Sequence, residues 1–423
     1  MKRWKVLVIS AAVTLVVLGL GLVAGILGRS LRHEPASKGA DYLAQSADGC
    51  VECHRRTTPG IIQQYANSTM AAAKVSCRDC HGVPADYPGA TVHEGASILR
   101  SPTTARCQRC HVNETAQFLA SRHALPSFVG YAGTAPLSPA HRKMYEAIPE
   151  GQVSNKMRNA LFAIEGPEIT RFACQSCHDV GAPREDGSVG RCEKCHLRHE
   201  FSLAQARKPQ TCNACHIGPD HPQWEIYQES PHGILFATQG DRWNWDAKPG
   251  TLTPKDMPAP TCATCHFSGF GGATTTHDVG DRLSWFLFSP VSERRPAWQD
   301  NMVRMQSVCA ACHNKTFVDD FYRAADVATE RVNQWVRESD QVVAPIGLKE
   351  HNAKEPFTQP VDFEHFELWH HWGRTAKFGV WMQGPDYTQW HGAYEVVKSL
   401  VKLRAHVAEK AGAGKPPAAE GGK

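Results

Sequence analysis

The hydrophobic pattern divides the chain into three kinds of sequence. Residues 6–28 form an apolar run without charge, long enough to cross a bilayer, which takes roughly 20 residues. Residues 41–316 have turn-forming residues at short intervals and no sustained alternation of apolar and polar positions. In 317–336 and 363–407, apolar residues recur at helical spacing. The pattern predicts a mainly α protein, with short helices and loops followed by a bundle of long helices and preceded by a transmembrane helix.

The N-terminal run has the features of an uncleaved membrane anchor. Lys2, Arg3 and Lys5 precede it, and a positive flank predicts a cytoplasmic N-terminus with the body on the periplasmic side of the cytoplasmic membrane. The run is longer than the apolar part of a signal peptide, and residues 26–30 make a poor cleavage site. The predicted organisation follows in five parts: anchor 1–28, polar linker 29–40, cysteine-rich domain 41–316, helical bundle 317–408, and an Ala/Gly/Pro/Lys-rich disordered tail 409–423.

All sixteen cysteines belong to a Cys-x-x-Cys-His motif that occurs eight times. The cysteines are Cys50, Cys53, Cys77, Cys80, Cys107, Cys110, Cys174, Cys177, Cys192, Cys195, Cys212, Cys215, Cys262, Cys265, Cys309 and Cys312. The histidines that end the motifs are His54, His81, His111, His178, His196, His216, His266 and His313. Two thiols at this spacing add to the vinyl groups of one haem while the next residue coordinates its iron. The sequence therefore predicts eight covalently bound c-type haems, with these histidines as the proximal iron ligands.

Two other uses of cysteine fit the motif poorly. Four-cysteine zinc sites do not require a histidine directly after the second cysteine in every repeat. A disulfide framework has irregular spacings and no need for that histidine either. Multihaem cytochrome c remains the interpretation that uses every residue of the motif.

Composition changes the picture in two respects. The formal net charge is +4, but sixteen haem propionates would take up part of the Lys and Arg. No long Lys/Arg run is present, so the sequence does not indicate nucleic-acid binding.

The core is expected to consist largely of porphyrin packed against Trp and Phe. The fourth to sixth motifs occupy only residues 174–216, so their haems are expected to lie close together.

The histidine count leaves two classes of function open. Of 22 histidines, eight end the motifs, which leaves fourteen. In an electron-transfer chain every iron has a second axial ligand, whereas a catalytic haem keeps one position for substrate. Fourteen histidines are more than enough for either arrangement, so the count does not decide.

The centre of the chain resembles the octahaem hydroxylamine oxidoreductase family. The residues that carry the resemblance are CEKCHLRHEFS at 192–202, RKP at 207–209, the motif at 212–216, Asp220-His221, Trp224, His232-Gly233 and WNW at 243–245. The resemblance extends over the haem region and weakens in the C-terminal helices. It implies that the haem of the fourth motif, held by His178, is the active site and that the other seven carry electrons.

The same resemblance assigns Asp220 and His221 to the pocket of that haem. A histidine can relay protons near neutral pH, and an adjacent carboxylate holds its tautomer and position. The alternative is that residues 218–222 form a turn with an ordinary distal ligand.

Several residues are candidate distal ligands of the remaining irons. By resemblance they include His199, His232 and His277; His93 and His123 follow the second and third motifs, and His371 and His391 compete from the bundle. Met70 stands where a distal histidine is expected after the first motif. It is either a thioether ligand, which raises the reduction potential, or a core methionine. His33, His351 and His406 are expected to be exposed to solvent.

One departure from the family concerns the substrate. Members that oxidise hydroxylamine carry a tyrosine that is bonded covalently to the active-site haem of a neighbouring subunit. Tyr387 is the candidate for this crosslink here. The segment around it looks shorter than in the members that oxidise hydroxylamine, so we expect no crosslink. Members without the crosslink resemble reductases of nitrite or hydroxylamine to ammonium. The alternatives are a hydroxylamine oxidase with a crosslinked haem and an electron-transfer cytochrome without substrate.

The expected partners follow from the anchor and the resemblance. They are a small inorganic nitrogen substrate, a quinol-linked or cytochrome electron donor or acceptor, and the membrane; the resemblance also implies a homotrimer.

Overall fold

The computed structural model describes residues 39–148 and 156–413. These residues separate into two compact units, one of 39–76 with 198–201 and the other of 77–197 with 202–413. The C-terminal helices therefore share a unit with the second to eighth motifs, and the sequence-based boundary at 316/317 stays a prediction. The predicted anchor, 1–28, lies outside the described residues. Within 39–148 and 156–413, no helix is long and apolar enough to span a membrane.

The first unit is a set of short helices around the first motif. Its helices are Ala40–Gln45, Gly49–Thr57, Pro59–Ala66 and Thr69–Ala72. The helix that carries the motif begins at Gly49 because the Asp48 carboxylate accepts a hydrogen bond from the Cys50 amide at 2.9 Å. The next helix has proline at its first position, where no amide hydrogen is needed. Gly39 donates a backbone hydrogen bond to the Ala66 carbonyl at 2.7 Å, which closes the unit.

The cysteine-rich part of the second unit also consists of short helices, as the frequent turn residues predict. Its α-helices are Cys77–His81, Thr104–Gln108, Val112–Ala120, Leu125–Ala132, Pro139–Ala147, Ala160–Phe172, Cys174–His178, Leu203–Arg207, Pro209–Asn213, Gln223–Glu229, Pro231–Gln239, Cys262–His266 and Trp298–Cys309. Short 3-10 turns lie at Asp179–Gly181, Cys192–Lys194 and Gly240–Arg242.

One β-hairpin interrupts this helical region. Thr91–His93 pairs antiparallel with Ala96–Ile98, with Val92 opposite Ser97. The connecting residues Glu94 and Gly95 both have positive φ, 47° and 76°, the conformation of the two-residue turns that match strand twist. The sequence showed no sustained alternation here because each strand has only three residues, too few for a visible pattern.

The bundle contains two long helices and several short ones. The elements are Lys315–Val343, Ala344–Ile346, Leu348–Asn352, Pro360–Glu367, Leu368–Gly373, Arg374–Met382, Pro385–Thr388, Gln389–Ala393 and Tyr394–Ala413. Leu368–Gly373 and Gln389–Ala393 are π-helical. The last helix includes residues 409–413, which the sequence analysis places in a disordered tail; Ala and Lys there are good helix formers. The bundle is therefore less uniform than its periodicity predicts.

Apolar packing in the second unit is divided among separate clusters. One joins the bundle helices through Val336, Leu368, Val396, Leu400 and Leu403. A second is built on Trp243, Trp245, Met257 and Phe270, and a third on Leu125, Val129 and Tyr145. Clusters of this size under long loops are satellites in most domains, so the haem region has no single aliphatic core.

Two histidines expected at the surface are half-buried. His351 lies 3.4 Å from Asp362 through Nε2 and Oδ2. His406 lies on the last helix with its Nε2 atom shielded from solvent. The exposure expectation was wrong for both because each sits where bundle helices meet; His33 lies outside the described residues.

Candidate functional site

Several motifs share the same backbone hydrogen bond between the histidine and the first cysteine. In the third, fifth, sixth and eighth motifs, the histidine amide donates to the carbonyl of the first cysteine at 2.9–3.0 Å. The Nδ1 atoms of His81 and His178 lie 2.7 Å from the carbonyls of Leu99 and Ser127. A carbonyl only accepts, so Nδ1 carries the proton and Nε2 is left as a metal ligand.

Three motif histidines face a second histidine from elsewhere in the second unit. The ring centroids are 6.3 Å apart for His196 and His277, 6.3 Å for His232 and His313, and 5.9 Å for His123 and His216. An iron bonded to two imidazole nitrogens at about 2 Å each requires ring centres roughly 6 Å apart. These residues therefore fit a haem iron held between them.

Burial keeps several of these rings in the form that binds metal. It lowers the pKa of His123 to about 4 and that of His216 to about 3, and each is lowered further by neighbouring positive charge. Burial likewise lowers the pKa of His196 to about 4. Neutral imidazole is the ligand form, so the rings need no deprotonation to coordinate iron near neutral pH.

The positions of the cysteines show which motifs are neighbours in the second unit. The thiols of Cys107 and Cys192 lie close enough to shift each other's pKa, as do those of Cys177 and Cys215. Cys212 and Cys262 are neighbours in the same way. The third motif therefore adjoins the fifth, and the sixth adjoins both the fourth and the seventh.

The fourth motif is placed beside a polar set of residues. Within the described residues, the aromatic ring near His178 is that of Tyr131, 5.6 Å away, rather than a second histidine. The pKa of the Cys177 thiol is lowered, mainly by its contact with Cys215 and in smaller part by the charges of His178 and His221. His221 is thus close to this motif. Its ring also lies 6.1 Å from that of His216, the spacing of the paired rings, so a distal ligand of the sixth motif stays the alternative role of His221.

Asp220 and His221 contact each other directly, as the sequence predicts for a relay pair. The Asp220 Oδ1 atom lies 2.9 Å from His221 Nδ1, although the N–H is poorly aligned with the oxygen. Such alignment often improves only when substrate binds. Both side chains are partly accessible, at 29% and 25%, so protons can reach them from solvent.

The bundle supplies the other side of this pair. Arg374, at the start of Arg374–Met382, places Nη1 at 3.6 Å from Asp220 Oδ2. The neighbouring Thr375 hydroxyl donates to the Pro219 carbonyl at 3.0 Å. Phe288 packs 6.4 Å from the His221 ring. The loop after the sixth motif is therefore held by the first turn of a bundle helix.

The charges around Asp220 keep it ionised. Burial alone would raise the pKa of this carboxyl, but its contact with His221 and the charge of Arg374 outweigh burial and hold the pKa below its usual range. Asp220 therefore remains an acceptor that can orient His221 across the neutral pH range.

The other predicted site residues have separate surroundings. Met70 is half-buried in Thr69–Ala72, and the His199 amide donates to Gln64 Oε1 at 3.3 Å. His93 ends a hairpin strand and is exposed. His371 lies on a π-helical turn with its ring 5.3 Å from His370. None of these placements identifies an iron partner, so their ligand roles stay predictions.

Tyr387 and His391 form a pair of their own. Their rings stack at 5.0 Å, and His391 Nδ1 lies 2.9 Å from Asp386 Oδ2. The Tyr387 amide donates to Glu229 Oε1 at 3.1 Å. These contacts are distinct from those of the Asp220 site.

Sequence reasoning missed the bundle's contribution to the site. Arg374 and His370, whose charges both lower the pKa of Asp220, were not candidates because the resemblance weakens in the bundle and gives no motif there. Phe288, which precedes the bundle, was not a candidate either. One signal was present: an arginine and two histidines within an otherwise aromatic run, LWHHWGR at 368–374. Buried positive residues in such a helix indicate an anionic partner.

The sequence matches a family model described as "Seven times multi-haem cytochrome CxxCH" over residues 73–350. The chain belongs to this family of multihaem c-type cytochromes. The matched range contains seven motifs, the second to the eighth, and the first motif precedes it. Covalently bound c-type haems are therefore the cofactors of this multihaem cytochrome.

Known relatives support the resemblance to hydroxylamine oxidoreductases. A "Probable nitrite reductase-hydroxylamine oxidoreductase fusion protein" of Kuenenia stuttgartiensis is 32% identical over 251 residues, covering 52% of this chain and 25% of that protein. The chain thus matches about a quarter of the length of this curated relative.

Solved structures show the same fold. A "Hypothetical multiheme protein" aligns with a TM-score of 0.73 at 21% identity, covering 86% of this chain and 95% of that chain. A chain of the "reducing HAO-like protein complex" of Kuenenia stuttgartiensis aligns with a TM-score of 0.63 at 18% identity, covering 89% and 88%. The mainly helical multihaem fold is thereby confirmed.

Proposed function

We propose that this cytochrome reduces nitrite, hydroxylamine or both to ammonium at the haem of the fourth motif. The observation that carries the proposal is the position of His221: it contacts Asp220, which lies near Arg374, and its charge helps lower the pKa of Cys177 in the fourth motif. Elsewhere, at the fifth and eighth motifs, a second histidine faces the motif histidine. The name of the Kuenenia relative, which includes both nitrite reductase and hydroxylamine oxidoreductase, agrees with this substrate class.

The chemistry requires protons as well as electrons. Nitrite takes up six electrons and eight protons to give ammonium and two water molecules. A haem held by Cys174, Cys177 and His178 would supply the iron that binds the nitrogen atom and the route for electrons. His221 is positioned to donate protons to oxygen atoms that leave as water, and Asp220 holds its ring and stabilises its charged form.

The remaining motifs are proposed to carry electrons to this site. We count eight haems, one for each intact motif. The contacts of Cys177 with Cys215 and of Cys212 with Cys262 give a continuous line of attachment sites from the fourth to the seventh motif. A quinol-linked or cytochrome donor would supply the electrons. Residues 6–28 would anchor the protein in the cytoplasmic membrane with its body in the periplasm, and trimer formation is the oligomeric state we expect.

The proposal is tested on the full chain matured with its haems. A pyridine haemochrome assay should give eight haems per chain. Electron paramagnetic resonance should show a high-spin haem beside low-spin centres, and a reduced dye should support ammonium formation from nitrite or hydroxylamine. Low-spin centres alone without turnover would identify an electron-transfer cytochrome. Hydroxylamine oxidation with a red-shifted ferrous band would identify the crosslinked oxidase instead.

A further inference from the structure

Arg374 is a largely buried cation at the mouth of the candidate site. Its side chain is 13% exposed, and it lies at the start of the helix Arg374–Met382. Burial lowers the pKa of Arg374 to about 10, which leaves it charged at neutral pH. A buried charge is costly unless it is paired, so its partners decide what the residue does.

Its contacts within the described residues fix the guanidinium plane and use only part of its hydrogen-bonding capacity. Nε donates to the Phe288 carbonyl at 2.8 Å. The guanidinium carbon lies 5.3 Å from the Phe288 ring centre and 5.2 Å from that of Trp369. A guanidinium has five N–H donors, and Nη1 lies on the Asp220 side.

The ion pair with Asp220 is loose. The Nη1–Oδ2 distance of 3.6 Å exceeds the roughly 2.7–2.9 Å of a charge-assisted hydrogen bond. Asp220 lies closer to His221, at 2.9 Å. One carboxylate therefore serves two basic neighbours, and it neutralises Arg374 incompletely.

A second buried basic residue lies one helical turn further along. Lys377 is fully buried and donates to the Ser289 carbonyl at 3.0 Å and to Ser292 Oγ at 2.7 Å. Its partners are neutral, so they add no negative charge to the region, and the charge of Arg374 is left to Asp220 and to any anion that binds beside it.

We propose that Arg374 binds the anionic substrate through its Nη groups on the Asp220 side and thereby selects small oxyanions over neutral nitrogen compounds. This inference rests on the proposed function and names nitrite as the substrate that Arg374 recognises. A planar guanidinium can hold two oxygens of a bent anion in parallel hydrogen bonds. The fixed plane between Phe288 and Trp369 would orient those oxygens toward His221.

The test measures ligand binding to the oxidised, haem-loaded protein without reductant. Nitrite is the anionic probe and nitric oxide the neutral one, each titrated by the change in the high-spin signal and optical bands. Arg374→Gln should weaken nitrite binding on the order of 10- to 100-fold, the effect of losing a charged hydrogen bond, and change nitric oxide binding less than about 2-fold. Arg374→Lys should fall between Gln and the native residue, because lysine keeps the charge without the fork.

Thr375→Val is the matched control, since it removes the contact with Pro219 and leaves Arg374 in place. It should leave the ratio of nitrite to nitric oxide affinity unchanged. Equal weakening of both ligands by Arg374→Gln would overturn the inference and make Arg374 a positioning residue for Asp220. Unchanged nitrite affinity in Gln and Lys variants with intact low-spin signals would overturn it too. Ammonium formation is assayed separately, so a protein that binds nitrite through Arg374 without reducing it would refute only the proposed function.

Discussion

The surroundings of the fifth and eighth motifs differ in kind from those of the fourth. His196 and His313 each face one imidazole at 6.3 Å, an arrangement suited to an iron held between two histidines. The fourth motif instead has His221 nearby, which contacts Asp220 and through it the region of Arg374. Under the proposed function, the difference teaches that one scaffold of repeated motifs can separate electron transfer from proton chemistry by what it places near each motif.

Removing His221 should have the largest effect. We expect His221→Ala to slow nitrite or hydroxylamine reduction by roughly 100-fold or more, the usual contribution of general acid–base catalysis. Steady-state ammonium formation measures it, and the low-spin spectra should not change. His365→Ala, which alters a bundle histidine that also faces an aspartate, is the control. Equal losses in both variants would contradict a specific role for His221.

Changing a ligand of a paired centre should alter a potential rather than proton transfer. In His277→Met, a thioether replaces the imidazole opposite His196, and one haem potential should rise, within the roughly 0.8 V range that axial ligands set. A spectroelectrochemical titration measures the shift. His365→Met, in a histidine paired with Asp340, should leave every potential unchanged. If the titration of His277→Met is the same as that of the native protein, His277 and His196 do not share an iron.

A pH effect on stability is also expected from Lys377, in the helix Arg374–Met382 beside Asp220. Burial, with a smaller effect of Arg374, lowers the pKa of Lys377 to about 7. Between that pH and the ordinary lysine pKa, the unfolded chain binds more protons than the folded one. The free energy of unfolding should therefore rise with pH over this window, by at most about 1.4 kcal/mol per pH unit. Denaturant unfolding measured over this pH range should show the slope for the native chain and not for Lys377→Met.

Tyr387→Phe should have the smallest effect. Its ring packs on His391 and its backbone amide bonds to Glu229, so loss of the hydroxyl should change ammonium formation less than about 2-fold, as for substitutions away from critical contacts. Activity and the ferrous spectrum are the measurements. Loss of both would replace the reductase with the crosslinked oxidase.

The sequence predicted the motif chemistry better than the site as a whole. Local spacing was sufficient for the motif cysteines and histidines and for the long helix Lys315–Val343, since both are encoded within a few turns of chain. His277 and His232 could be suspected, but their facing His196 and His313 depends on tertiary packing. The meeting of Asp220 with Arg374 was beyond prediction for the same reason. The π-helical turns leave no periodic signal, because each alters the phase of a helix only locally.

The π-helical turn at Leu368–Gly373 also bears on how this site tolerates change in chain length. It lies between Pro360–Glu367 and Arg374–Met382, and such a turn closes its hydrogen bonds over one residue more than an α-helical turn. Deleting a single residue there can be absorbed by a return to α-helical winding, which keeps the two flanks in phase. Deleting one residue from an α-helical flank would instead rotate Arg374 against Leu368 by about 100°. Length variation among homologous chains should therefore be tolerated better at this turn than within Pro360–Glu367 or Arg374–Met382.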